Sequence, residues 1–179
     1  GPGQTGDGLS FDPLFYPYYE MLDEQGKHLY RQIYANANAL TGAFAPVEEV
    51  GAAKLKTVFE AVYNDHPELF WMETAYYGKY RRDGRCVEID LRFNRTAQNL
   101  EASKAVFQEN ADSIRNQASA LSSDYEKEKL VHDILIDRIT YNLGAEMNQS
   151  AYSALVNGQT VCAGYARAFQ YLLQQMGIP

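Results

Sequence analysis

Hydrophobic positions in the first third of the chain recur at helical intervals. Leu22, Leu29, Ile33, Ala37 and Leu40 predict a helix over Tyr18 to Leu40, and Val50, Leu55, Val58, Phe59 and Val62 a second over Val47 to Tyr63. Thr41 to Pro46 connects them, and Asn64-Asp-His-Pro67 ends the second, because a residue before proline avoids the helical region. The period then falls to two. Val87, Ile89, Leu91 and Phe93 alternate with Cys86, Glu88, Asp90 and Arg92, the pattern of a half-buried strand. Its hairpin partner is Phe70 to Arg81, with Asp83-Gly84 as the turn. This alternation puts Cys86 on the polar face, as an incidental free thiol. Helical spacing returns over Thr96 to Ala120. A capping box, Ser123-Asp-Tyr-Glu126, opens a fourth helix whose buried face is Val131, Ile134, Leu135 and Ile139. Asn142-Leu-Gly144 breaks it, Gln149 to Val156 is a short helix, and Asn157 to Thr160 is a loop. A last helix runs from near Val161 to Gly177, with Ala166, Phe169, Leu173 and Met176 as its buried stripe.

Two helices, a hairpin and four more helices, without regular strand–helix alternation, predict an α+β fold dominated by helix. Residues 1–13 read as a loose segment or tag remnant, 14–120 as a helical and β-hairpin extension, and 121–179 as a separate helical part. No internal repeat or low-complexity tract is present. Apolar residues make up 46% of the chain and charged ones 22%, enough for a core that needs neither disulfides nor metals. The 14 tyrosines are expected to pack half-buried. A net charge of −7 without a basic patch argues against a nucleic-acid partner. No apolar run is long enough to span a membrane. No phosphate-cradling glycine loop and no converging metal ligands are visible, so neither a cofactor nor a metal is expected.

Chemistry is concentrated near Cys162. It falls in the first turn of the last helix, where unpaired N–H groups and the helix dipole favour thiolate, as a nucleophile requires. The competing reading is a small buried apolar residue. Ala163, Gly164 and Ala166 beside it leave room for a substrate backbone to approach, which a core cysteine would not need. Gln159 and Tyr165 are candidates to line a substrate groove, although Tyr165 can equally pack as core. Of the three histidines, His66 reads as a helix-end residue, His28 suggests no role, and His132 is expected to flank the core or face solvent.

The segment Gly158-Gln-Thr-Val-Cys-Ala-Gly-Tyr-Ala-Arg-Ala-Phe, followed by Leu172-Leu173 and Met176-Gly-Ile-Pro179, resembles the nucleophile helix of the transglutaminase-like superfamily. The upstream run Lys129-Leu-Val-His-Asp-Ile-Leu-Ile-Asp-Arg-Ile-Thr-Tyr141 and Ser150-Ala-Tyr-Ser-Ala-Leu155 fit bacterial members, and the likeness extends weakly to residues 60–95. The resemblance implies a papain-like core whose helical first half is residues 121–179. It implies Cys162 as the nucleophile, acting on peptide or isopeptide amides by hydrolysis or acyl transfer. The family places a His and an Asp after the cysteine on strands, so the expectation is a domain cut after its nucleophile helix, inactive alone. A peptide or protein substrate, a secreted or cell-surface setting and self-association through an uncovered last helix follow as expectations. The alternative is a non-catalytic cell-surface or protein-interaction module on the same fold. A third reading is a complete helical domain with Cys162 in its core.

Overall fold

The computed structural model describes residues 1–179. The chain is α+β and mostly helical, and it divides into two compact units, Gly1–Ala97 and Gln98–Pro179. The division falls at Ala97, within the stretch that the sequence reads as a single extension to residue 120.

Unit 1 opens with a short helix α1 (Pro17–Glu20), then α2 (Glu24–Asn38), strand β1 (Ala43–Phe44), α3 (Ala52–Asp65) and the hairpin β2 (Met72–Tyr80) and β3 (Cys86–Phe93). The single helix expected from Tyr18 is two, because the Asp23 carboxylate accepts from the Gly26 N–H at 2.7 Å and caps a new start. The strands form an antiparallel sheet in the order β1-β3-β2. Leu29, Ile33 and Ala37 of α2, Leu55, Val58 and Val62 of α3, and Ile89 and Leu91 of β3 are buried.

The strict alternation expected of β3 fails at its start. Lys79 pairs with Glu88 but Tyr80 pairs with Cys86, so Val87 is an extra residue in the ladder. The bulge turns Val87 out and Cys86 in, and the thiol is buried, not on a polar face.

The first residues, expected to be loose, are hydrogen-bonded to α2. Gln32 and Asn36 are wholly buried on that helix and their amides need partners. Gln32 donates to the carbonyls of Pro2 at 3.0 Å and Ala45 at 2.8 Å, and Asn36 accepts from the Gln4 N–H at 2.7 Å.

A second polar network joins α1, α2 and the end of α3. The Asp65 carboxylate accepts from the N–H groups of Tyr18 and Tyr19, at 3.2 and 2.9 Å, and from the Tyr30 hydroxyl at 2.7 Å. The same hydroxyl lies 2.6 Å from His66 Nε2, whose Nδ1 faces Glu68 at 2.5 Å. Having one proton, the hydroxyl can donate to only one neighbour; given to Asp65, it leaves the imidazole Nε2–H as the donor to it. Burial raises the Asp65 carboxyl and pushes the Tyr30 and Tyr34 hydroxyls up.

Unit 2 holds α4 (Leu100–Ser119), α5 (Asp124–Arg138), strand β4 (Thr140–Tyr141), a π-helical turn (Ser153–Asn157), strand β5 (Gln159–Thr160) and α6 (Cys162–Gln175). Ser123 caps α5, accepting from the Glu126 N–H at 3.1 Å. Phe107, Ala111 and Ile114 of α4, Val131 and Leu135 of α5, and Ala168, Tyr171 and Leu172 of α6 are buried.

The buried face of α6 is not the stripe the spacing suggests. Gly164, Arg167, Ala168, Tyr171 and Leu172 point inward, whereas Ala166 is exposed and Phe169, Leu173 and Met176 are half-buried. The helix is apolar on adjacent faces, so periodicity alone does not select between them. Gly177, at φ +71°, ends it. There the N–H groups of Gly177 and Ile178 donate to Gln174 and Leu173, and Ile178 is buried, a Schellman closure.

Candidate active site

Cys162 is the first residue of α6, and its thiol is exposed. Val161 before it offers no side-chain cap. The first-turn N–H groups therefore have no acceptor from within the helix.

A two-residue clasp fixes this start. β4 and β5 pair in parallel, Thr140 with Gln159 and Tyr141 with Thr160. The Thr140 N–H donates to Gly158 at 2.8 Å and the Asn142 N–H to Thr160 at 2.9 Å, tying the end of α5 to the residues before the cysteine. The buried Thr160 hydroxyl donates to the Asn148 carbonyl at 2.6 Å, and the Val161 N–H donates to the same oxygen at 3.1 Å.

Gly164 belongs to this packing. A Cβ there would overlap Thr160 Oγ1 and lie 2.8 Å from the Asn148 carbonyl oxygen and 2.9 Å from that of Ser150. Its smallness lets the helix lie against its own preceding loop. It is not open to a substrate, as the sequence suggests for it; Ala163 and Ala166 are the exposed small residues.

Between α5, the clasp and α6 lies an open groove of about 290 Å³, lined by His132, Leu135, Ile136, Ile139, Tyr141, Thr160, Val161, Cys162 and Tyr165. Its walls are almost wholly apolar, and no Asp, Glu, Lys or Arg lines it. Cys162 and Tyr165 thus share one cavity. Gln159 does not line it; its side-chain oxygen accepts from Asn142 Nδ2 at 2.8 Å. The Tyr165 ring is parallel to that of Phe169, its hydroxyl oxygen is buried without a hydrogen-bond partner, and burial with the nearby Asp133 charge pushes that hydroxyl up. A buried hydroxyl left unpaired costs about 1–3 kcal/mol.

His132 is exposed, as the sequence suggests, and it also lines the groove. Its ring, 55% exposed, meets Tyr165 edge-on at 6.1 Å, and Nδ1 lies 3.4 Å from Asp133 Oδ1. The spacing His132, Leu135, Ile136, Ile139 is i, i+3, i+4, i+7, a single helix stripe that holds the signal. The other cysteine contrasts with Cys162. Cys86 Sγ donates to the Glu88 carbonyl at 3.3 Å, and burial raises its thiol. No group of three His, Cys, Asp or Glu side chains converges to hold a metal ion, and no helix is long and apolar enough to cross a membrane.

One family comparison covers this part of the chain. Residues 111–179 match the model of the transglutaminase-like superfamily. The transglutaminase-like segment begins within α4 and runs to Pro179, so His132, Tyr165 and Cys162 all lie inside it, and residues 60–95 lie outside it. No curated protein matches the chain.

Proposed function

We propose that the transglutaminase-like segment carries a cysteine hydrolase or acyltransferase acting on peptide or isopeptide amides, with Cys162 as nucleophile. Residues 121–179 are, in this reading, the helical first half of its core. The observation that carries it is the exposed Cys162 thiol at the first turn of α6, on the rim of the apolar groove. The thiolate sulfur bonds to the amide carbonyl carbon, the C–N bond breaks, and the amine leaves with a proton. The resulting thioester is released by water in hydrolysis or by a second amine in transfer. First-turn N–H groups of α6 are the available donors to the oxyanion formed on the way. Tyr165 shapes the groove beside the sulfur, and Gln159, bonded to Asn142, acts at most at its margin.

The test is trapping. In a protein that includes the strand-borne His and Asp the resemblance implies, incubation with a library of glutaminyl and lysyl-isopeptide substrates should place an acyl mass on Cys162, located by peptide mapping, and Cys162→Ala should abolish it. Amide turnover retained by Cys162→Ala would end this reading. A second reading, a non-catalytic interaction module, draws on the exposed apolar residues Ile136, Tyr141 and Leu143, at 56, 62 and 72%. It expects partner binding unchanged by Cys162→Ala and lost on Ile136→Lys.

A further inference from the structure

The sheet of unit 1 ends in an open edge. We infer that β2 pairs with the β2 strand of a second copy of this chain, antiparallel about a two-fold axis at Tyr76, so that two three-stranded sheets join in the order β1-β3-β2-β2-β3-β1.

β2 is nine residues long, and β3 is its only neighbour in the sheet. Beyond the ladder to β3, no backbone hydrogen bond reaches residues 73–79. An edge strand presents a row of N–H and C=O groups that a further strand can complete. Glu73, Thr74 and Ala75 also lack a partner residue in the β3 register, because the ladder shifts between Met72 and Tyr76. A strand added at the free edge is where a ladder can reach them. β2 contains no proline to block its approach, and Glu73, Thr74, Ala75, Tyr77 and Lys79 are exposed.

The charges select the occupant. Glu73 and Lys79 are the only charged residues of β2, and they stand symmetrically about Tyr76, its central residue. Antiparallel pairing centred on Tyr76 therefore sets each Glu73 opposite Lys79 of the second copy, twice per dimer. The same register sets Thr74 opposite Gly78 and Ala75 opposite Tyr77, a smaller residue beside a larger one each time. Residues directly opposite share a face of the sheet. Tyr76, whose ring meets the buried Phe59 at 4.4 Å, thus keeps to the inner face in both copies. Sliding the strands breaks both Glu–Lys pairs together, and in-register parallel pairing sets like charge against like. Lys79 already meets Glu88 on β3 at 3.0 Å, but its side chain is 72% exposed and its ammonium has three donors, enough for a second carboxylate. Charged residues that would keep an arbitrary strand away from this edge admit a second copy of itself.

Sedimentation velocity on the 179-residue chain reads the association, and the dimer fraction should rise with concentration. Glu73→Lys and Lys79→Glu should each weaken dimerisation about tenfold or more, since each sets like charges opposite one another at both contacts. Mixed in equal amounts, the two variants should recover the wild-type association, because every cross-strand contact between them is again Lys against Glu. An unchanged circular dichroism spectrum reports that each variant is folded. As a second measurement, hydrogen exchange of the 73–79 amides should slow on going from dilute to concentrated protein, with α6 unaffected. A chain that stays monomeric, a dimer indifferent to both single variants, or a mixture no tighter than either variant alone would overturn the inference. Concentration-dependent protection confined to α6 would do so too, by placing self-association on the last helix.

Discussion

In unit 1 even the hardest groups to bury are provided for. Gln32 and Asn36 are wholly buried and bonded to backbone on both sides, Asp65 receives three donors, and the Cys86 thiol donates to a carbonyl. Unit 2 leaves comparable groups open. The Cys162 thiol is exposed, and the Tyr165 hydroxyl is buried and unpaired. A closed polar network and a dry core consume side-chain chemistry; an unfinished one leaves it for a ligand. The contrast supports placing the proposed chemistry in unit 2.

The largest effect that tests this contrast is Leu29→Ala, a truncation at a fully buried site of unit 1. It should cost about 2–5 kcal/mol in denaturant unfolding, without changing the alkylation rate of Cys162 at temperatures where unit 1 remains folded. A parallel fall in Cys162 reactivity would show that the two units do not separate as drawn. Next is Gly164→Ala. The added methyl has no room against Thr160 and the carbonyls of Asn148 and Ser150, so it should cost about 1–3 kcal/mol. It should also change Cys162 alkylation, since the start of α6 must shift, and a neutral result would disprove the close packing behind the thiol. Ser123→Ala removes the cap of α5 and should cost about 1 kcal/mol, read as a lower thermal midpoint.

The smallest effect is a slope. Burial raises the Asp65 carboxyl above its ordinary value of 3.8. A raised carboxyl gives its full stabilisation below the unfolded value and loses it as pH climbs through the folded value. The melting-temperature advantage of the wild type over Asp65→Asn should therefore shrink from about pH 3 toward about pH 7. A gap that widens with pH would mean that the hydrogen bonds from Tyr30, Tyr19 and Tyr18 outweigh burial.

Strong local signals in the sequence carry through to the structure. The Asp83-Gly84 turn, the Ser123 cap, the start of α6 at Cys162 and the transglutaminase-like likeness of the last segment are each written in neighbouring residues. What is hidden depends on the third dimension. The bulge at Val87 turns Cys86 from the polar face into the core, and no residue type announces it. The face of α6 that is buried is decided by what packs on it, because Ala168-Tyr171-Leu172 and Phe169-Leu173-Met176 are equally apolar. His132 is the surface residue it looks like, and only the placing of α5 beside α6 shows that it also lines the groove. Gly164 looks like space for a substrate until the 148–150 loop is seen to fill it.

The parallel clasp between Thr140-Tyr141 and Gln159-Thr160 has a consequence for how such chains can vary in length. Both ends of the intervening excursion are pinned, at the Thr140–Gly158 and Asn142–Thr160 hydrogen bonds, and Asn148 anchors its middle to Thr160 and Val161. Between Asn142 and Met147 the turn is held by short local bonds, Gly144 N–H to Asn142 Oδ1 at 2.9 Å, Ala145 N–H to the Asn142 carbonyl at 3.2 Å and Asn148 Nδ2 to the Leu143 carbonyl at 2.8 Å, and the Leu143 side chain is exposed. Extra residues spliced there would lengthen the rim of the groove and leave the cysteine where it stands, because loop closure grows costlier only slowly with length. Residues 143–146 are thus the place where a graft can redraw what the site admits without redrawing the site.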